Sequence, residues 1–175
     1  MRTMSRQSTC QMLVLSLLGA SPAFAQSGVT DALAEFTKAD PGLQKVINQA
    51  AGYAIFPSVG KGAIGIGAAH GKGWVYQRGA LIGETTLTQV TIGLQLGGQA
   101  YRELILFKDQ TALDDFKRGN FEFDAQVSAV AVTAGVSADL KYNRGVAIIT
   151  MAKGGLMYEA SVGGQKFSYE PVGKE

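Results

Sequence analysis

The residue types best suited to chemistry stand between Ala51 and Gly73, in the run A-G-Y-A-I-F-P-S-V-G-K-G-A-I-G-I-G-A-A-H-G-K-G. After the short strand that follows Gly52, glycine falls at 60, 62, 65, 67, 71 and 73; Lys61 and Lys72 are the only formal charges of the run, and His70 is the only histidine of the chain. Glycines beside lysines can cradle phosphate through backbone N–H groups, and Gly60 to Gly65 matches G-x-G-x-x-G. The dinucleotide mechanism, however, needs a helix to begin there, so that its N-terminus meets the pyrophosphate. Alternating glycine and isoleucine follow instead, which is a strand pattern. A Walker lysine precedes Ser or Thr, whereas Lys61 precedes Gly62 and Lys72 precedes Gly73. Nucleotide binding is set aside.

The remaining reactive groups do not assemble into a catalytic set. A zinc site on His70 would need three carboxylates, and a serine hydrolase would need a G-x-S-x-G elbow that the sequence lacks. Asp114-Asp115 fall in the first turn of a predicted helix, where the dipole accounts for them. Glu84, Glu103 and Glu159 are isolated in strand contexts. The expectation is a protein without enzymatic activity, metal or cofactor.

The N-terminus reads as a secretion leader. Arg2 and Arg6 are basic, Met12 to Leu18 is a short apolar core, Gly19 to Pro22 breaks the helix, and Ala23-Phe24-Ala25 is a small-x-small cleavage site. The apolar run falls short of the roughly 20 residues a membrane span needs. Cleavage after Ala25 takes 25 of 175 residues and leaves 150, one domain over 26–175. It also removes two of 16 basic residues, which brings them level with the 14 acidic ones, and it removes Cys10, the only cysteine. Net charge then gives no support to nucleic-acid binding, and disulfides and thiolate chemistry are excluded. The expected location is periplasmic or secreted.

The elements that must position the glycine run follow from periodicity. Thr30 is a candidate N-cap, and Leu33 and Phe36 lie three apart on one face. Asp40-Pro41-Gly42 interrupts this helix and starts a second, with Leu43, Val46, Ile47 and Ala50 at helical spacing and Gly52 as its C-terminal glycine. From Tyr53 the period becomes two: a short strand closed by Pro57, then runs around Ile64–Ile66, Trp74–Tyr76 and Thr86–Gly97, with turns at Gly71-Lys72-Gly73, Arg78-Gly79 and Gly97-Gly98. Leu104 to Phe107 is apolar on both faces, as a buried central strand would be. A helix capped by Thr111, with Asp114 as capping-box partner, ends at Gly119. Strands resume at Phe121–Phe123, Gln126–Ala138, Val146–Met151, Leu156–Val162 and Lys166–Tyr169, with a turn at Asn143-Arg144-Gly145. The predicted fold is α+β: a mostly antiparallel, strongly curved sheet or small barrel, with N-terminal amphipathic helices and one helix inserted between strands.

Several of these stretches together resemble the SYLF domain, the lipid-binding, actin-regulating domain of some eukaryotic SH3 proteins. They are G-Y-A-I-F-P-S-V-G-K-G at 52–62, G-I-G at 65–67, G-K-G at 71–73, V-T-I-G-L-Q-L-G-G-Q at 90–99, L-I-L-F at 104–107, A-L-D-D-F-K-R-G at 112–119, D-A-Q-V-S-A-V-A at 124–131 and G-G-L-M-Y-E-A-S-V-G-G-Q-K-F at 154–167. The resemblance implies phospholipid binding, with the amphipathic segment before the glycine-rich strand important; the corresponding positions are Leu33, Phe36, Lys38, Lys45, Val46 and Ile47. A leader and the lack of an SH3 domain make actin an unexpected partner. Lys38 and Lys45 are few for a polybasic patch, since each basic residue near an anionic surface supplies about 1 kcal/mol.

The expected function is therefore non-catalytic binding of phospholipids or an anionic membrane surface in the bacterial cell envelope. Lys38, Lys45, Lys61 and Lys72 are the candidate phosphate contacts. The alternatives are an eight-stranded outer-membrane barrel and an envelope protein-interaction module.

Overall fold

A computed structural model describes residues 22–64, 66–92, 99–119, 121–123, 129–153 and 164–173. The leader expected over 1–25 lies outside them except for its last four positions, which are helical. The strand expected at Leu156–Val162 and the turn at Gly97-Gly98 also lie outside.

Two helices, α1 (Pro22–Ala39) and α2 (Gly42–Gln49), precede four long strands, β1 (Gly52–Ile64), β2 (Ile66–Gln77), β3 (Ala80–Ile92) and β4 (Gln99–Phe107). Helix α3 (Gln110–Lys117) follows, then β5 (Phe121–Glu122), β6 (Val130–Ala131), a 3-10 turn (Val136–Ala138), β7 (Val146–Ala152) and β8 (Lys166–Pro171). The strands form one sheet in the order β5-β8-β3-β2-β1-β4-β7-β6. Every pairing is antiparallel except that of β6 with β7.

The sheet is a curled half-barrel. Strands β8 and β4 stand four places apart in the order, about 19 Å in a flat sheet. Yet Gln165, beside β8, donates from Nε2 to the Tyr101 hydroxyl (3.1 Å) and to Glu103 Oε2 (3.0 Å) on β4. Curling separates two cores by the parity of the strands. The inner face holds Phe56, Ile105, Phe107, Ile148 and Phe167, plugged by Leu113 and Phe116 of α3. The outer face of β1, β4 and β7 presents Tyr53, Ile55, Leu104, Leu106 and Ile149 to Phe36, Leu43 and Ile47 of the two helices.

Several expected boundaries move, each for a packing reason. Pro57 does not close a strand: β1 runs through it, with a bulge between Phe56 and Val59 that tolerates a residue lacking an N–H donor. Gly71-Lys72-Gly73 is not a turn but the middle of β2, which pairs with β1 as a hairpin reversing between Ile64 and Ile66. Residues 64 and 66 therefore belong to two strands. Gly52 does not end α2 in a left-handed turn; it opens β1, where a Cβ would stand 2.6 Å from the Tyr76 carbonyl oxygen. Thr30 lies inside α1 rather than at its start. The cap of α3 is Asp109, accepting from the Ala112 N–H (2.9 Å), while Asp114 accepts from Gln110 Nε2 (2.9 Å). The run expected as a strand over Gln126–Ala138 contributes only β6 beyond 124–128, which lie outside the described residues; Gly135, at φ 84°, then turns the chain into the 3-10 segment.

Asp40 joins the helices to that segment. Its Oδ2 accepts from the Ser137 N–H (2.7 Å) and its Oδ1 from the Gly42 N–H (2.9 Å). The Ser137 backbone bond, ahead of the Gly42 one, holds its carboxyl below the usual 3.8. A depressed folded pKa contributes stability above the unfolded value that is lost as pH falls through the folded one. Asp40→Ala is accordingly expected to lower the thermal midpoint at neutral pH, and its deficit against wild type should shrink below pH 3.8. Circular dichroism melts across that range check both; a deficit independent of pH would contradict the account.

Candidate functional site

The helix-side layer leaves an open pocket of about 430 Å³ where α1 and α2 meet the start of β1 and the β2–β3 turn. Helix α2 supplies one wall because Gln44, Ile47 and Asn48 recur at i, i+3 and i+4. Ile47 packs inward, while Gln44 and Asn48 are exposed at the rim, joined by a 3.1 Å bond from Gln44 Nε2 to Asn48 Oδ1. Leu33 reaches the pocket from α1, and Tyr53 forms its floor. The Tyr53 ring stacks on Tyr76, centroids 5.1 Å apart and planes 11° from parallel. Burial, reinforced by Tyr76, pushes the Tyr53 phenol up to about 12, so its hydroxyl stays protonated and able to donate at neutral pH.

Arg78 closes the pocket. It occupies the two-residue β2–β3 turn with Gly79, at φ 51° and 80°. Both central residues of such a turn are left-handed, a geometry that favours Asn-Gly and costs a non-glycine side chain strain. Among the residues lining the pocket Arg78 alone carries a charge, and it makes no ion pair among the described residues.

The residues predicted from sequence are only partly brought together. Leu33 and Ile47 line the pocket, and Val46 is half-buried beside them. Phe36 is 0% and Ile47 9% exposed, so the apolar stripe grips the sheet instead of facing outward. Lys38 and Lys45 are exposed on the helices. Lys72 is exposed mid-way along β2, on the face that carries Trp74 to the helix-side core. The Lys61 backbone lies in β1, paired with Ala69 and Gln99, and its side chain is outside the described residues. His70 is exposed in β2. Among the described residues no three His, Cys, Asp or Glu side chains cluster closely enough to hold a metal ion. Arg78, Tyr53, Gln44 and Asn48 escaped sequence reasoning. An arginine at a position that favours asparagine or glycine was the available signal, and Arg144 before Gly145 shares it.

Residues 88–171, from the end of β3 through β8, match the family described as "Ysc84: Las17-binding protein actin regulator", which is the SYLF family. Over that stretch the chain is similar to the SYLF family. The match includes the motifs quoted above from Val90 onward, while the glycine stretch from 52 to 73 precedes it. The chain is also similar to Beta cell expansion factor A of Aeromonas veronii, 28% identical over 139 residues. That alignment covers 78% of this chain and 52% of the relative, so the chain spans about half the length of the curated relative it matches. Among the described residues no helix is long and apolar enough to cross a membrane.

Proposed function

We propose that this protein is a non-catalytic phospholipid-binding protein that works at membrane surfaces of the bacterial cell envelope, periplasmic or secreted after cleavage at Ala25. The observation that carries the reading is the pocket under α2: apolar Leu33, Ile47 and Ala50 beside polar Gln44 and Asn48, a protonated tyrosine and, among the described residues, a single cation match an anionic amphiphile. The family match supports it, since lipid binding is associated with SYLF domains. The covering of β1, β4 and β7 by the helices weighs against a transmembrane barrel, whose outer face must meet lipid.

Flotation of the full chain with vesicles of phosphatidylcholine, with and without phosphatidylglycerol, tests this. Co-migration with the anionic vesicles is expected; a chain that stays at the bottom of the gradient with every composition rules the function out.

A further inference from the structure

The geometry points to one anionic phospholipid held per chain, with its phosphate on the Arg78 guanidinium and its glycerol and first acyl carbons against Leu33, Ile47 and Tyr53. This inference rests on the lipid reading and goes beyond it in naming the stoichiometry and the residue that holds the phosphate. The helix lysines, which the sequence had favoured, are then accessory.

Three observations converge. The first is charge: among the described residues Arg78 is the one charged residue lining the pocket, and no carboxylate lines it. A planar guanidinium offers two parallel N–H bonds to phosphate oxygens, and the exposed amides of Gln44 and Asn48 stand on the opposite rim as further donors.

The second is backbone geometry. The turn places Arg78 with φ 51°, so the stem of its side chain leaves from a position that a glycine or asparagine would occupy at lower strain. Arg144 ahead of Gly145 has the same geometry, at φ 48°, and what sets Arg78 apart is that its turn borders the pocket under α2.

The third is the setting. Register brings Gly52, Phe107 and Val146 level with one another, and Tyr53 level with Tyr76, so the β2–β3 turn, the end of β4 and the turn before β7 share one end of the sheet. Lys108 and Arg144 are exposed at that end. Of the acids nearby, Asp109 caps α3, Asp114 meets Lys117 (3.3 Å) and Asp115 meets Arg118 (3.2 Å), while Glu84 and Glu170 face each other further along β3 and β8. This end can therefore rest on an anionic surface while the pocket takes one lipid from it. The pocket is too small for two whole acyl chains, which would remain in the bilayer.

The test compares the full-length wild type with Arg78→Glu, Arg78→Lys and Asn48→Trp in co-sedimentation with phosphatidylcholine vesicles containing phosphatidylglycerol. Circular dichroism verifies each fold. Arg78→Glu should weaken binding by about tenfold or more, since two charge units change at the surface, and Arg78→Lys should fall between. Asn48→Trp fills the pocket from its exposed rim without altering charge, and it should weaken binding as well. Soluble dihexanoyl-phosphatidylglycerol should compete with the vesicles at a concentration where glycerol phosphate does not. Wild-type affinity in folded Arg78→Glu overturns the inference. So does loss in Arg78→Glu with full binding in Asn48→Trp, which would make Arg78 a surface cation only, or equal competition by glycerol phosphate. In each of those cases wild type still binds vesicles, and the broader lipid reading survives. Wild type binding no vesicle removes both.

Discussion

Phe116→Ala is expected to remove about 3–5 kcal/mol of stability, the usual cost of emptying a packed aromatic site. Phe116 is fully buried, and its ring lies 4.9 Å from that of Phe107, 5.3 Å from Phe167 and 5.5 Å from Phe121. These rings belong to a central strand, the strand that closes the curl and the edge strand, so one side chain of α3 ties together three parts of the sheet. Collapse of the surrounding residues cannot easily refill the space, because the inner face is backed by hydrogen-bonded strands. Set against a typical stability of about 5–15 kcal/mol, the loss should lower the thermal midpoint by roughly 6–20 °C. Urea unfolding followed by far-ultraviolet circular dichroism measures it. A loss below about 1 kcal/mol would show that α3 does not seal the interior.

Gly73→Val should be nearly as damaging, whereas Gly60→Ala should be harmless. A Cβ at Gly73 would stand 2.6 Å from two ring carbons of Phe56 and 2.9 Å from the Ile55 carbonyl oxygen. Phe56 is fully buried and cannot swing away, and the carbonyl belongs to the paired strand. Overpacking of this kind costs about 1–3 kcal/mol and can cost more; the branched valine and the backbone clash put the expectation at the upper end. Nothing lies within 4 Å of a Cβ at Gly60, whose φ is not positive. Alanine there should be neutral or stabilising by about 0.4–1 kcal/mol, through the unfolded chain. Parallel denaturation of the two variants decides the matter, and equal effects would mean that the glycines of this stretch serve composition rather than fit.

That contrast shows what could be read in the sequence. Period-two alternation located the strands because each has two differently solvated faces, and β4 stood out as apolar on both because it has a core on each side. Boundaries were less legible. Glycine at 71 and 73 imitates a turn, but those positions face the inner core, where Val59 and Phe56 leave no room for a side chain, while Lys72 and Trp74 point the other way. A bulge accommodates Pro57, which in isolation reads as a terminator. The helices' apolar stripe was visible, but its partner was not: the same Leu33, Phe36 and Ile47 pattern suits a bilayer or a sheet. Arg78 was hidden for a different reason. Sequence shows a turn there, and only the folded pairing of β1 with β2 sets that turn against α2.

The order in which the chain can assemble follows from the sheet's connectivity. Strands β1, β2 and β3 are joined by the shortest of connections, so their hairpins close small loops and can form early. Strand β8, by contrast, docks on β3 across 83 residues of chain, as in the bond from the Thr85 hydroxyl to the Ser168 carbonyl (2.7 Å). Until that long loop closes, Phe167 is missing from the inner face and Phe56 and Phe116 remain open to water. The folding chain passes through such a stage with its aromatic interior exposed. Among the described strands, the one furthest along the chain is thus also the one that shuts the interior, and the rate of its docking sets how long the chain is vulnerable to aggregation and proteolysis.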